Sequence, residues 1–409
     1  MEIRRLLILP SWYPSPGDKI NGSFFQEQAK LVSGQFDVKV LFIRFVSRPS
    51  FRAFLKTPLA NCRDWWRFVF QYGTRTQLPD DEVFLTPPLI EYSIRILGFT
   101  QRQRYRKRLS AYLTALDELM STGWKPDLIH AHSVDIAGLV ARRFKEVHGI
   151  PYVITEHVPF AITNYPDCMR DEIKRTFSEA NVVLSLGYDK VRQLGMSGID
   201  VDPNLIYNFI DEMEFNRVCE PYIQGSPLKL ISIGAASYFK DHRTLVRALS
   251  LLKARSIPFK LTLIGLKVGG YLYKDTIDFI NESGLANDVV VIDCIDRKSV
   301  PAYLTESKVY LMTSIAEGLP VSVLEAMACG LFIVATRHGG TEDILSVESG
   351  VLVEVKNFKK IADKLEEIYR GEISFNPNTI REHVVSMCGK RAFASRLIGF
   401  YEQALLRKT

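Results

Sequence analysis

Short apolar runs recur along this chain at 3–9, 37–43, 126–132, 151–155 and 181–185, and again at 228–234, 259–265, 289–292, 309–312, 332–335 and 350–353. They are apolar nearly throughout rather than at alternate positions, which is the pattern of strands covered on both faces. Between them lie segments of helical spacing at 23–34, 108–120, 136–147, 241–253, 359–369 and 391–406, with one more ending near Gly195 and another starting at 299–304. Ser23 and Gln26 make a capping-box pattern at the first of these. Strands alternating with helices predict an α/β protein with parallel sheets. The periodicity fades over 212–227, where Pro221, Gly225 and Pro227 interrupt the chain, and then restarts. Since 409 residues exceed what one core usually serves, the chain reads as two domains joined by this linker. Residues 44–110 are weakly periodic and receive no assignment.

The most informative junction leads from the run at 309–312 to that at 332–335. There Glu317-Gly318-Leu319-Pro320-Val321-Ser322 reads as a loop entering a short helix that ends at Gly330. Pro320 suits the first turn and Gly330 a left-handed stop. Glu317 then lies in the loop and Glu325, eight positions on, in the helix. In such units a ligand binds beyond the strand's carboxyl end, where the helix offers free N–H groups to an anion. Carboxylates accept hydrogen bonds from hydroxyls, so a phosphate joined to a hydroxyl-rich group, as in a nucleotide-sugar, meets both demands. The other reading of the pair is two solvated carboxylates. Lys240, at the start of the helix at 241–253, is either a surface lysine or a cation placed for phosphate, since a lone cation is unfavourable there. Gly22 either serves a turn or lets a phosphate approach the backbone. His130, His132 and His157 end strands, where histidines hold backbone groups or do chemistry. His157 lies on the side where α/β clefts form.

The run from Ser314 through Met327-Ala328-Cys329-Gly330 to Gly339-Gly340-Thr341-Glu342 resembles the signature of retaining glycosyltransferases of family four (glycosyl transferases group 1), which have the GT-B fold. The resemblance implies two Rossmann-like domains facing a central cleft. The acceptor-side domain would be 1–215, joined by the helix at 391–409, and the nucleotide-sugar domain 216–390. It gives the catalytic roles to His157, Lys240 and Glu317, and donor binding to Gly22, Lys240, Glu317, Leu319, Pro320, Val321 and Glu325. Glu317 would lie near the donor sugar and phosphate, and Glu325 would bind the ribose hydroxyls. His130 and His132 keep the structural reading. The chain departs from the family in several places. Asn21-Gly22 stands for a glycine pair, while Ala235 and Asp241 stand for the arginine and glycine that accompany the lysine, with Arg243 as a substitute cation. Only Asn208 and Asp211 match in the run at 206–211, and Lys267 and Asp293 replace glycines near the base, which is therefore unreadable.

A net charge of +6 and a pI near 8.8 favour anionic partners where the charge is clustered. Arg102, Arg104, Arg106, Lys107 and Arg108 form one cluster. Arg44, Arg48, Arg52, Lys56, Arg63 and Arg67, interleaved with Phe51, Trp65, Trp66 and Phe70, form another. Together they predict docking to an anionic membrane surface, against the alternative of a solvated basic face over an aromatic core. No RNA or DNA module accompanies the charge, so nucleic acid is not expected. The apolar run Leu6-Leu7-Ile8-Leu9 stops at Pro10, too short for a signal-peptide core, and no run could span a bilayer. A cytoplasmic, peripheral protein is expected. The six cysteines are scattered singly, which predicts free thiols.

The expected activity is transfer of a sugar from a nucleotide-diphosphate sugar to a saccharide or lipid-linked saccharide in polysaccharide or glycan biosynthesis. No cofactor or metal is expected, because no paired-aspartate motif is present and Lys240 with the helix at Pro320 would take up the charge. A glycoside hydrolase would need carboxylates flanking the bond. A nucleotide-sugar epimerase, separable by an assay without acceptor, and a non-catalytic carbohydrate-binding protein are the rivals.

Overall fold

The computed structural model describes residues 4–14, 22–47, 83–91, 101–157, 159–270 and 272–407. They divide into two compact units, one of 1–185, 191–205 and 396–409 and one of 186–190 and 206–395.

Among the described residues the first unit is a parallel sheet of seven strands, β1 (Arg4–Leu9), β2 (Phe36–Ser47), β3 (Val83–Glu91), β4 (Leu128–His132), β5 (Tyr152–Glu156), β6 (Val182–Ser185) and β7 (Asn204–Leu205). Their order is β3-β2-β1-β4-β5-β6-β7, so the direction of winding reverses between β1 and β4. β4, β5 and β6 are buried at every position, as continuous apolar runs require. Helices α1 (Ser23–Val32), α2 (Gln101–Ser121), α3 (Leu139–His148), α4 (Asp167–Ser178) and α5 (Tyr188–Met196) connect them, the last passing into and out of the second unit.

The second unit repeats the plan with β8 (Leu228–Ile233), β9 (Phe259–Ile264), β10 (Val289–Ile292), β11 (Val309–Met312), β12 (Phe332–Thr336) and β13 (Gly350–Val353), all parallel, in the order β10-β9-β8-β11-β12-β13. Its helices are α6 (His242–Ala254), α7 (Tyr273–Glu282), α8 (Val300–Glu306), α9 (Val321–Ala328), α10 (Phe358–Tyr369) and α11 (Pro377–Cys388). A last helix, α12 (Lys390–Leu406), starts in this unit and belongs to the first from Arg396 onward.

Several expectations need correction. The segment 212–227 is not a free linker: Phe215 and Cys219 are buried in the second unit's core, and the Cys219 N–H donates to the Cys329 carbonyl at 2.8 Å. The chain changes unit after Leu205 instead, because Phe209 packs on Phe393 at 4.8 Å and Ile210 N–H donates to the Cys388 carbonyl at 2.9 Å. α2 begins seven residues before the expected start at 108, its first turns being the basic run that masked the apolar period. Within 44–110, β3 carries Pro87 and Pro88 on the sheet's edge, where the register with β2 jumps from Thr86 to Leu89 and skips both prolines. Helices α4, α7 and α11 carry no sequence signal used above. At α1 the cap is Gly22, with no side-chain cap bond, rather than Ser23. Asn21 and the basic and aromatic residues from Arg48 to Phe70 lie outside the described residues. Among the described residues no helix is long and apolar enough to cross a membrane. The described cysteines are free, with Cys219, Cys329 and Cys388 buried and Cys168 and Cys294 exposed.

Candidate active site

In the second unit the sheet order reverses between β8 and β11, which pair directly, and the loops after these two strands carry Lys240 and Glu317. A crevice beyond the strand ends at such a reversal is where open α/β sheets bind ligands. The chain turns away from β8 at Gly234, and a Cβ there would lie 2.9 Å from Lys240 Cε, so the glycine gives the lysine stem its path. Lys240 is followed by Asp241 at φ 45°, in the left-handed region that favours glycine and is tolerated by Asp. Glycine would adopt that conformation without strain. Asp241 adds a cap that glycine lacks, its carboxylate accepting from Thr244 N–H at 3.3 Å and from Thr244 Oγ1 at 2.7 Å. Thr313, just after β11, donates its hydroxyl to the Lys240 carbonyl at 3.0 Å and ties the two loops together.

Lys240 Nζ lies 2.8 Å from Glu317 Oε1, and Ser314 Oγ donates to the same oxygen at 2.9 Å. The structure thus joins two of the predicted residues 77 positions apart in an ion pair. The Glu317 loop is held from three sides. Lys190, 1% exposed, donates to the Glu317 carbonyl at 3.0 Å, and Asn208 Nδ2 donates to the Leu319 carbonyl at 2.7 Å. A Cβ on Gly340 would stand 1.6 Å from the Gly318 carbonyl oxygen, so this glycine marks the third contact. The turn bearing Gly340 is itself closed by Glu342, whose carboxylate accepts from Gly339 N–H at 2.8 Å and Thr341 N–H at 3.0 Å. Beside it His338 is buried, accepts from Gly340 N–H at 3.2 Å, and is held below the ordinary histidine range by that burial.

α9 follows the loop. Pro320 is its N-cap at φ −70° and ψ 117° rather than its first helical residue, and no side chain caps the helix, so its first-turn amides are not covered by a protein carboxylate or hydroxyl at the cap. Leu319 is buried, and Val321 opens the helix. Gly330 at φ 79° ends it left-handed as expected. Glu325 is 8% exposed and faces Arg297, with 3.5 Å between Oε1 and Nη2. Arg243 does not stand in for the missing arginine: its guanidinium lies over the Phe279 ring at 4.7 Å. Asp211 is a turn residue, accepting from Met213 and Glu214 N–H at 3.1 and 3.3 Å. Lys190 and His338 escaped the sequence reading. Lys190 had no signal, since its partner is 127 residues away, while His338 adjoins the glycine pair.

In the first unit Gly22 and His157 share one corner at the carboxyl edge of the sheet. Gly22 adopts φ 82° and lies against the backbone of the loop after β1, where a Cβ would come within 2.6 Å of Tyr13 Cα. The neighbouring Trp12 ring centroid is 6.3 Å from that of His157, and Phe25 from α1 packs on His157 at 5.0 Å. His157 Nε2 is 2.8 Å from His132 Nδ1. His132 therefore does more than fill the core. Its Nε2 is buried without a partner, and a buried N–H left orphaned there would cost more than an unused lone pair. His132 accordingly carries its proton on Nδ1 and donates it, which assigns the His157 proton to Nδ1. His130 is a satisfied core residue, with Tyr401 Oη at 2.8 Å and Thr155 Oγ1 at 2.8 Å. Burial lowers His157 and His130 to about 3, and the rings stay neutral in ordinary buffers.

Chemically, the second unit offers a cation, two carboxylates and an uncapped helix start at the sheet reversal, and the first offers a neutral imidazole N–H. Comparison with known proteins gives these features a context. The family model described as Glycosyl transferases group 1 matches residues 220–382, and that described as Glycosyltransferase Family 4 matches 69–212. A D-inositol 3-phosphate glycosyltransferase of Paenarthrobacter aurescens is 24% identical, over 73% of this chain and 72% of that protein. The amylovoran biosynthesis glycosyltransferase AmsK of Erwinia amylovora is 27% identical over 37% of this chain and 38% of that protein. The solved structure of Anabaena HepE in complex with UDP and glucose superposes with a TM-score of 0.66 at 14% identity, over 97% of this chain and 99% of that one, a likeness of fold.

Proposed function

Because the chain belongs to the group 1 glycosyltransferases, of the GT-B fold, we propose that it transfers a sugar from a nucleotide-diphosphate sugar, with retention of anomeric configuration. The acceptor is a saccharide or lipid-linked saccharide of a cell-surface polysaccharide or glycan. The observation that carries this reading is the Lys240–Glu317 pair at 2.8 Å, placed at the sheet reversal beside the uncapped start of α9.

The diphosphate lies on the amide N–H groups of Val321 and Ser322, which follow the cap residue Pro320, and Lys240 turns from Glu317 toward it as negative charge builds on the leaving group. Glu317, released from the cation, accepts hydrogen bonds from the sugar hydroxyls. Glu325 takes the ribose hydroxyls with its remaining lone pairs, and Arg297 keeps the carboxylate ionised. In the first unit, which takes the acceptor, His157 presents Nδ1–H to a sugar hydroxyl, and Gly22 leaves its amide approachable by phosphate. The amides and Lys240 supply the charge stabilisation a metal would otherwise give, so chelator leaves transfer unchanged.

The test is a thermal-shift screen of UDP-, GDP- and ADP-sugars, followed by transfer to saccharide acceptors with the product's anomeric configuration read by NMR. A donor that raises the melting temperature and yields a product of unchanged configuration supports the reading. No stabilising nucleotide-sugar, inverted product, or turnover of donor without acceptor to an epimer overturns it.

A further inference from the structure

A second cluster of charge lies in the first unit, in elements that the site above does not use. The first two turns of α2, α3 and α4 enclose a cavity of about 260 Å³. Arg102 and Arg106 enter it from α2, Arg142 and Arg143 from α3, and the Tyr105 ring and the Cys168 thiol also line it. Glu172 is the one carboxylate on the wall, and it is exposed.

This arrangement is costly without a counter-ion. Arg102 and Arg106 stand four apart on one helix, which is repulsive, and neither has an ion pair among the described residues. α2 has no acidic residue in its first turn, so Arg102 lies at the positive end of that helix. Arg142 shares Glu146 with Arg143 and has Glu179 at 3.7 Å, both through Nη1, so neither carboxylate serves its Nε. The Arg142 side chain is 9% exposed, yet its Nε has no hydrogen-bond partner. A buried guanidinium N–H without an acceptor, on the wall of a basic cavity, calls for an oxyanion. Tyr105 is fixed by the hydrogen bond of its hydroxyl to Asp135, so the floor is preorganised.

We infer that this cavity binds a phosphate group, with Arg142 Nε and the Arg102 and Arg106 guanidiniums as donors. Guanidinium forks suit phosphate oxygens, and the volume is below the ~300–1,000 Å³ of drug-sized ligand sites, enough for a phosphate and a small attached group but not a nucleotide-sugar. The group arrives either on a soluble phosphate ester or on the headgroup of an anionic lipid. The inference does not depend on the transferase reading, since its test measures no turnover.

The test follows alkylation of Cys168 by N-ethylmaleimide, mapped by mass spectrometry of the full chain, with Cys294 as the internal reference. The probes are inorganic phosphate, glycerol 3-phosphate, and vesicles of phosphatidylcholine with or without phosphatidic acid. Protection of Cys168 by the soluble probes assigns a phosphate ester, and protection by phosphatidic acid vesicles alone assigns a lipid headgroup. Arg106→Gln, at an exposed position, should raise the concentration for half-protection about tenfold, the loss of one charge-assisted contact. Lys240→Ala should leave protection as it is, which separates this cavity from the nucleotide site. Arg142→Gln should abolish protection with its circular dichroism unchanged, and should it unfold, Arg106→Gln alone decides. No protection by any probe, or protection that survives Arg106→Gln, overturns the inference.

Discussion

Lys240 Nζ and Glu317 Oε1 are 2.8 Å apart, each side chain about one-fifth exposed, at 22% and 21%. Such a half-open pair contributes little to folding, since solvent screens it and two long side chains must be ordered. Its significance is positional: it holds the lysine beside the start of α9, where the proposed reading puts the diphosphate.

Lys240→Ala should therefore weaken nucleotide-sugar binding by about 1.5–3 kcal/mol, the value of a hydrogen bond to a charged group, with almost no change in melting temperature. Calorimetric titration with the donor found in the screen checks this. Unaltered affinity removes Lys240 from the site.

Glu325→Ala should cost a similar ~1.5–3 kcal/mol for a nucleoside diphosphate but leave inorganic pyrophosphate binding unchanged, because the carboxylate is assigned to the ribose alone. Parallel titrations with both ligands distinguish this from a general loss of the site. Equal loss for both would mean that the change acts through the released Arg297 or the helix.

Gly340→Ala tests the backbone contact behind Glu317. Its Cβ would fall 1.6 Å from the Gly318 oxygen, so the loop must move. Overpacking of this kind costs about 1–3 kcal/mol, and transfer activity should fall with the melting temperature. Gly34→Ala, where a Cβ meets nothing within 4 Å, is the control and should change neither.

The histidines of the first unit set a direction of pH dependence. His130, fully buried, is held near 3, below the ~6.5 of the unfolded chain. Between these values the unfolded state binds the extra proton, so stability rises with pH and is lost as pH falls from about 6.5 toward 3, at up to about 1.4 kcal/mol per unit for this residue. His157 and His132 act in the same direction, also because of burial. Urea denaturation across this window should show a declining midpoint on the acid side, with a smaller decline in His130→Gln. A flat profile would mean that these rings stay accessible to protons.

Much of the fold was legible because fully covered parallel strands must be apolar at every position. The run at 309–312 becomes β11, buried at every position, while those at 289–292 and 350–353 become the partly buried edge strands β10 and β13. Glycine at Gly330 and the strand–loop–helix around Glu317 were legible for a similar reason, since each is fixed by neighbours a few residues away. What the chain could not show along its length was decided by packing between distant segments. Phe215 looks like a linker residue until the core of the second unit buries it. Asp241 looks like a departure until its left-handed backbone shows that glycine or a self-capping aspartate can serve. His132 becomes a support for His157 only because β4 and β5 lie side by side in register. The sequence by itself determined which residues are candidates for chemistry and which segments are strands, because side-chain type and local period encode both. Partnership was decided by the tertiary structure: Lys240 with Glu317, Lys190 with the Glu317 carbonyl, Arg243 with Phe279, and the arginines of α2 and α3 around one cavity. Such contacts depend on strand order and crossover, which no local stretch of sequence specifies.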